Sequence, residues 1–194
     1  MNDLSPKETQ DVLSIAEILE IPGLDMMQGI LDGIYPAAPI SKILNYKVHA
    51  VEKGKVVFRG TPTLETLNPM GTIHGGWYGT ILDSAMACAV MTTLPAGKIQ
   101  TTLEFKVNII RSIPAGAQVD AIGTVEHSGK STGVAVGSLV DVNTGKLYLK
   151  LIKFVLRSQA PIISTAFKFR FFKIPLGMID KYRKNNEWLL NDLK

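Results

Sequence analysis

The stretch Asn68–Thr93, NPMGTIHGGWYGTILDSAMACAVMTT, decides how the rest of the chain is read. From Gly75 onward it carries Ile81, Leu82, Ala85, Met86, Ala87, Cys88, Ala89 and Val90, with no polar stripe wide enough for a solvent face. A helix that is apolar all round is normally a buried one. At ~1.5 Å per residue it spans roughly 28 Å, about the width of a small domain. A membrane span needs about 20 mostly apolar residues without a charge. This one carries Asp83 at its middle and Gly75, Gly76 and Gly79 at its start. It is expected to be a central core helix.

Asp83 is the anomaly in that helix. A carboxylate on a buried helix is costly unless it is paired, hydrogen-bonded or needed for chemistry. Upstream, His74-Gly75-Gly76 opens the helix. Free backbone N–H groups point outward there, at the positive end of the helix dipole. Glycines let a ligand oxygen come close to them. An anion-receiving helix start, with a carboxylate two turns later, suits acyl-group chemistry: donors for an oxyanion, and a base or nucleophile.

The pattern Asn68-x5-His74-Gly75-Gly76-x6-Asp83, followed by TTLEFKVNIIRSIPAG, resembles the hotdog-fold acyl-CoA thioesterases of the phenylacetate-pathway (PaaI-like) type. The resemblance covers about Pro39 to Leu156. Where the family usually places proline directly after the strand arginine, Arg111 is followed by Ser112, with Pro114 two positions on. The resemblance implies hydrolysis of an acyl- or aryl-acyl-CoA thioester to free acid and coenzyme A, with no cofactor besides the coenzyme A of the substrate. It implies Asp83 as general base or nucleophile and Gly75 as the oxyanion-hole N–H. Asn68 matches the amide that helps position the thioester or the water, and Thr102 the hydroxyl that holds the attacking water. Thr101 is the rival, because a one-residue slip turns the hydroxyl to the other face. His74 reads as a positioning group. Gly76 and Trp77 are candidates for the substrate pocket, and Arg111 and Lys130 for the coenzyme A phosphates. Each has a blander reading: a turn asparagine, a close-packed glycine, a strand threonine, ordinary surface bases. The resemblance also implies a homodimer or dimer of dimers, joined sheet edge to sheet edge, with the glycine of one subunit facing the acid of the other.

The whole chain fits this frame. A length of 194 residues suits one core-bearing domain, and 46% hydrophobic with 20% charged residues is ordinary for a globular protein. One cysteine, Cys88, excludes an intrachain disulfide. No second histidine or cysteine lies at ligand spacing from His74, so no metal site is expected. No signal-like segment opens the chain, and cytoplasm is the default expectation.

Residues 1–39 read as an N-terminal helical extension. Ser5-Pro6-Lys7-Glu8 looks like a helix start, followed by apolar residues at helical spacing up to the Pro22-Gly23 break. Leu24 to Ile34 forms a second helix, ended by Pro36 and Pro39, with Met27, Ile30, Leu31 and Ile34 on one face. Residues 40–157 form the hotdog domain. Its strands are expected at Tyr46–Glu52, Lys55–Thr61, Thr101–Arg111, Gln118–Glu126, Thr132–Asp141 and Lys146–Leu156. An antiparallel sheet curling around one long helix, an α+β arrangement, buries that helix best.

Residues 158–194 form a basic, aromatic tail that holds the whole positive excess of the chain. Contact with an anionic membrane surface or with coenzyme A phosphates is set against a loosely docked tail. Nucleic acid is not expected, since no binding module accompanies the charge. Two other functions share the fold: a non-catalytic acyl-CoA-binding module, which would not need Asp83, and an enoyl-CoA hydratase or dehydratase, whose Asp and His motif is not found.

Overall fold

The computed structural model describes Pro6, Glu8 and residues 11–159, with side chains as far as Lys150. The expectations placed on residues 160–194 lie outside the described residues. Among the described residues, four α-helices and six strands follow in the order α1 (Ile15–Glu20), α2 (Gly23–Leu31), α3 (Pro39–Ile43), β1 (Tyr46–Glu52), β2 (Lys55–Gly60), α4 (Gly75–Met91), β3 (Lys98–Ile109), β4 (Val119–Ser128), β5 (Thr132–Asp141) and β6 (Leu147–Gln159), with one 3-10 turn at Leu64–Thr66. The strands form one antiparallel sheet in the order β1-β2-β4-β5-β6-β3. It curls around α4, which is the hotdog arrangement. No described helix is long and apolar enough to cross a membrane.

The seat of α4 on the sheet is made of glycine. Gly123 of β4 pairs with Gly137 of β5. A methyl group at Gly123 would run into the Ala85 carbonyl of α4, and one at Gly137 would press on Leu82 and Met86. Glycine is therefore needed here for close approach of backbone to backbone. Around this seat Tyr78, Ile81, Leu82, Ala85, Met86, Ala89 and Val90 are buried against Val56, Val119, Ala121, Ala135, Leu139 and Leu149. The Tyr78 hydroxyl accepts the Ile113 N–H at 3.0 Å, so the one polar atom of that side chain is satisfied inside the core.

The helix is not buried all round. Thr80, Asp83, Ser84, Ala87 and Cys88 are only half-buried. Their spacing of three and four puts them on one stripe. Gly75, Gly79, Asp83 and Ala87 face β3: a methyl at Gly75 would meet Ile109, one at Gly79 would meet Phe105, Asp83 meets Thr102 and the Ala87 carbonyl meets Gln100.

The N-terminal helices differ in detail from the sequence expectation. Helix α1 is capped by Ser14, and Glu17 completes a capping box with the Ser14 N–H at 2.8 Å; the helix start expected at Ser5 lies outside the described residues. Helix α2 stops at Leu31, and Gly33 takes a φ of +72°, which leaves Ile34 exposed and off the apolar face. Pro39 does not end a helix but starts one, at its first position. Met27 joins the same core as α4, so this extension is packed into the domain.

Candidate active site

His74 is the N-cap of α4, and its Nδ1 accepts the Gly76 N–H at 2.9 Å. With Nδ1 as acceptor, the ring proton of the neutral imidazole sits on Nε2. The Trp77 N–H bonds the His74 carbonyl at 3.0 Å. The Gly75 N–H has no acceptor among the described residues. It is exposed, at the positive end of a seventeen-residue helix. Gly76 is tied to its cap, because a methyl there would lie 3.0 Å from the His74 ring. At Gly75 a methyl would meet only Ile109, at an ordinary 3.9 Å. Protein packing thus gives a reason for glycine at 76 and none at 75.

Two turns along, Asp83 accepts the Thr102 hydroxyl at 3.2 Å through Oδ1. The register of β3 against β6 skips one residue immediately after Thr102, where Leu103 is passed over between Thr102↔Val155 and Glu104↔Phe154. Such a bulge re-aims side chains, and bulges recur beside active sites. It holds Thr102 toward the helix and leaves Thr101 exposed. The Tyr46 hydroxyl lies 3.0 Å from Ser84 Oγ, beside Asp83. Burial pushes the Tyr46 phenol up, partly offset by the Ser84 bond, with Cys88 and Asp83 adding to the rise.

Asn68 organises the loop before the helix. Its Oδ1 accepts the Met70 N–H at 2.9 Å and the Thr72 N–H at 3.2 Å, and its Nδ2 donates to Thr72 Oγ1 at 2.8 Å. One amide hydrogen is left over. Trp77 belongs to the core: it is 2% exposed and its indole N–H bonds the Leu44 carbonyl at 2.8 Å. Arg111 is exposed past the end of β3 and reaches the Leu147 carbonyl at 3.3 Å. Lys130 is exposed in the β4–β5 turn. The register puts that turn at the Thr101 end of β3, since Thr132 pairs with Leu156 and Leu156 with Thr101. Arg111 lies beyond the other end, roughly 30 Å away at ~3.3 Å per strand residue. One chain does not bring these two bases together. Among the described residues no group of three His, Cys, Asp or Glu side chains is placed to hold a metal.

A family model described as the thioesterase superfamily matches residues 70–147. The chain is also 30% identical, over 95 residues, to the 1,4-dihydroxy-2-naphthoyl-CoA hydrolase of Listeria monocytogenes, a match that spans 49% of this chain and 76% of that one. The chain belongs to the thioesterase superfamily. Among solved structures, this thioesterase resembles a mutant of the phenylacetic acid degradation protein PaaI from Thermus thermophilus, at 28% identity and a TM-score of 0.56 over 61% of this chain and 98% of that one. It shares its fold with the PaaI protein of the E. coli phenylacetic acid degradation operon, at 23% identity and a TM-score of 0.63, covering 71% and 96% of the two chains. The family model runs from Met70 to Leu147 and so takes in Gly75, Asp83 and Thr102.

Two site features lie beyond the sequence reading. The half-buried stripe on α4 is hidden because Ala87 and Cys88 register as apolar. The bulge after Thr102 leaves no mark in the residues around it.

Proposed function

We propose that this thioesterase hydrolyses an acyl- or aryl-acyl-CoA thioester to the free acid and coenzyme A. The observation that carries the reading is Asp83, half-buried at mid-helix and held by the Thr102 hydroxyl at a strand bulge. The relative's substrate is a coenzyme A thioester by name, which supports the substrate class.

Thr102 gives its hydrogen to Asp83, so its oxygen lone pairs are left to accept from a water. Asp83 takes a proton from that water as the oxygen adds to the thioester carbonyl. In the other route the Asp83 carboxylate adds directly, forming a mixed anhydride that water then opens. Both routes place negative charge on the carbonyl oxygen, where an unpaired helix-start N–H stabilises it. Both expel the coenzyme A thiolate. Two protein groups and water suffice, so the reading calls on no metal or cofactor, and coenzyme A enters as part of the substrate.

One chain does not complete this site. Gly75 and Asp83 are eight residues apart on one helix, ~12 Å along its axis. A single carbonyl group does not span that distance. The second half of the site is assigned to another copy of the chain, docked along β3. That strand is bonded on one side only among the described residues, and exposes Leu103, Phe105 and Ile109, with Ile110 exposed just past its end. A long apolar edge of this kind calls for a partner. A two-fold that lays the two β3 strands antiparallel sets Gly75 of one subunit beside the partner's Asp83. It also brings the Arg111 end of one strand to the Lys130 end of the other.

The test is thiol release from a panel of acyl-CoA substrates by wild type and Asp83→Asn. The amide keeps the shape and removes the base, and kcat falls on the order of 10²-fold or more. Asp83→Asn turnover close to wild type would contradict the assignment. A protein that binds acyl-CoA without releasing thiol would be the non-catalytic module.

A further inference from the structure

The bulge in β3 decides which of its residues look inward. Gln100 and Thr102 meet α4 before the bulge, while Phe105 and Ile109 meet it after, at Gly79 and Gly75. Passing over Leu103 shifts the period-two pattern by one residue. Phe105, Val107 and Ile109 therefore share the inner face, and Glu104, Lys106 and Asn108 the outer one. All of these except Val107 are exposed, on a strand bonded on one side only among the described residues.

A second copy pairing with this edge must obey the same pattern. Residues directly opposite in an antiparallel pair carry their side chains on one face. A two-fold axis normal to the sheet also keeps each residue on its own face. A register that sets Phe105 opposite Lys106 breaks this rule, so one residue of β3 must face its own copy across the axis. With Glu104 there, two carboxylates are opposed; with Lys106, two ammonium groups are. Like charges directly opposite are destabilising. With Phe105 on the axis, Glu104 of each chain lies opposite the partner's Lys106, and two aromatic rings, each 40% exposed in the single chain, meet.

The helix selects the same register. Gly79, Asp83 and Ala87 meet Phe105, Thr102 and Gln100, so one turn of α4 matches about two paired residues of β3. Gly75, one turn before Gly79, is then level with Val107, and the Ile109 side chain reaches back to it. With Phe105 on the axis and Leu103 again passed over, the partner's Val107 falls opposite Thr102. The partner's Gly75 thus arrives beside Asp83. With Val107 on the axis, each Gly75 would instead meet its own copy.

We propose that two copies of this chain pair with Phe105 on the two-fold axis, and that the Glu104–Lys106 pairs across it fix this register. The inference rests on the shared-site reading above and specifies it. Exposed ion pairs add little strength. Here they act by excluding the neighbouring registers, in which like charges meet.

The experiment is disulfide trapping in the full chain, on a Cys88→Ala background, under mild oxidation. Opposed Cα atoms in an antiparallel pair lie ~4.5–5.5 Å apart, a span that a disulfide bridges. Residues one position off the axis stand ~8 Å from their own copies, which it does not bridge. Phe105→Cys is expected to trap a covalent dimer, and Glu104→Cys and Lys106→Cys each to trap none. Those two variants, unfolded and refolded together, should trap a mixed dimer. Independently, Lys106→Glu should weaken the dimer about tenfold on dilution, and adding Glu104→Lys to it should restore the wild-type affinity. Self-trapping by Glu104→Cys or Lys106→Cys overturns the register while leaving the pairing along β3. A dimer that none of the cysteine variants traps overturns the proposal, and a double variant that stays weak overturns the role of the ion pairs. A wild-type chain that is monomeric while releasing thiol removes the shared-site reading, and this proposal with it.

Discussion

Thr102 and Thr101 are chemically identical neighbours with different surroundings. Thr102 bonds Asp83 at 3.2 Å, while Thr101 is exposed. Thr102→Val removes the hydroxyl at constant shape and is expected to lower kcat about tenfold. Thr102→Ser keeps most of the rate, and Thr101→Val changes little. Steady-state kinetics on the three variants reads this directly, and equal effects at 101 and 102 would refute the placement. A second carboxylate illustrates the structural alternative. Asp141 accepts the Thr144 N–H at 2.8 Å, the Tyr148 hydroxyl at 2.9 Å and the Asn143 N–H at 2.9 Å. The Thr144 N–H foremost, then Tyr148, holds its carboxyl below the usual range. A depressed folded-state value means stability that is present above the ordinary carboxylate pKa and lost as pH falls through the folded one. Asp141→Asn is therefore expected to lower Tm at neutral pH and to flatten the acid side of a Tm–pH profile. An unchanged acid limb would show that Asp141 adds nothing by its charge.

Among the elements, α4 is the most legible in sequence. Its apolar run is too long for a strand and broken by Asp83, and the helix Gly75–Met91 lies where the run predicts it. The strands Tyr46–Glu52 and Thr132–Asp141 match their expected bounds because turn residues mark both ends. Where the sequence misleads, one signal competes with another. The Ser14 cap goes unread, although Ser14 and Glu17 have the capping-box spacing. Pro39 reads as a stop when proline also serves as a start. Of the site, Asp83, Gly75 and His74 stand out as a polar and glycine-rich interruption of an apolar helix. The bulge that places Thr102 does not, because it leaves no mark in the residues around it. The glycine seat yields a prediction at this scale. Gly123→Ala drives a methyl into the Ala85 carbonyl, and backbone cannot swing aside as a side chain can. Overpacking of this kind costs about 1–3 kcal/mol or more, read as a drop in midpoint on chemical denaturation. Gly75→Ala, with ordinary contacts, should unfold like wild type and lose activity. A stable Gly123→Ala would mean that α4 does not sit where the structure places it.

For the molecule as a whole, the proposed reaction takes its two halves from the start and the middle of one helix, which lie too far apart to share a substrate. The two outer strands of the sheet differ in the same sense. Strand β1 is flanked by α2 and α3, whereas β3 leaves Phe105 40% and Ile109 49% exposed beside the site. The proposed shared site joins catalysis to assembly, since the exposed strand edge that suits a partner is also the edge at which the partner's residues would enter the site. The measurement that tests this most directly is subunit complementation. Gly75→Pro deletes the oxyanion N–H, and Asp83→Asn deletes the base, so each homodimer lacks one half of both its sites. Unfolding the two variants together and refolding them as a mixture gives hybrids in which one site is whole and the other doubly damaged. With random pairing of a two-fold dimer, thiol release should return to about one quarter of the wild-type rate. If hybrids form, as shown by mass-tagged subunits, and the mixture stays as inactive as its parents, the site is not shared and the account is wrong.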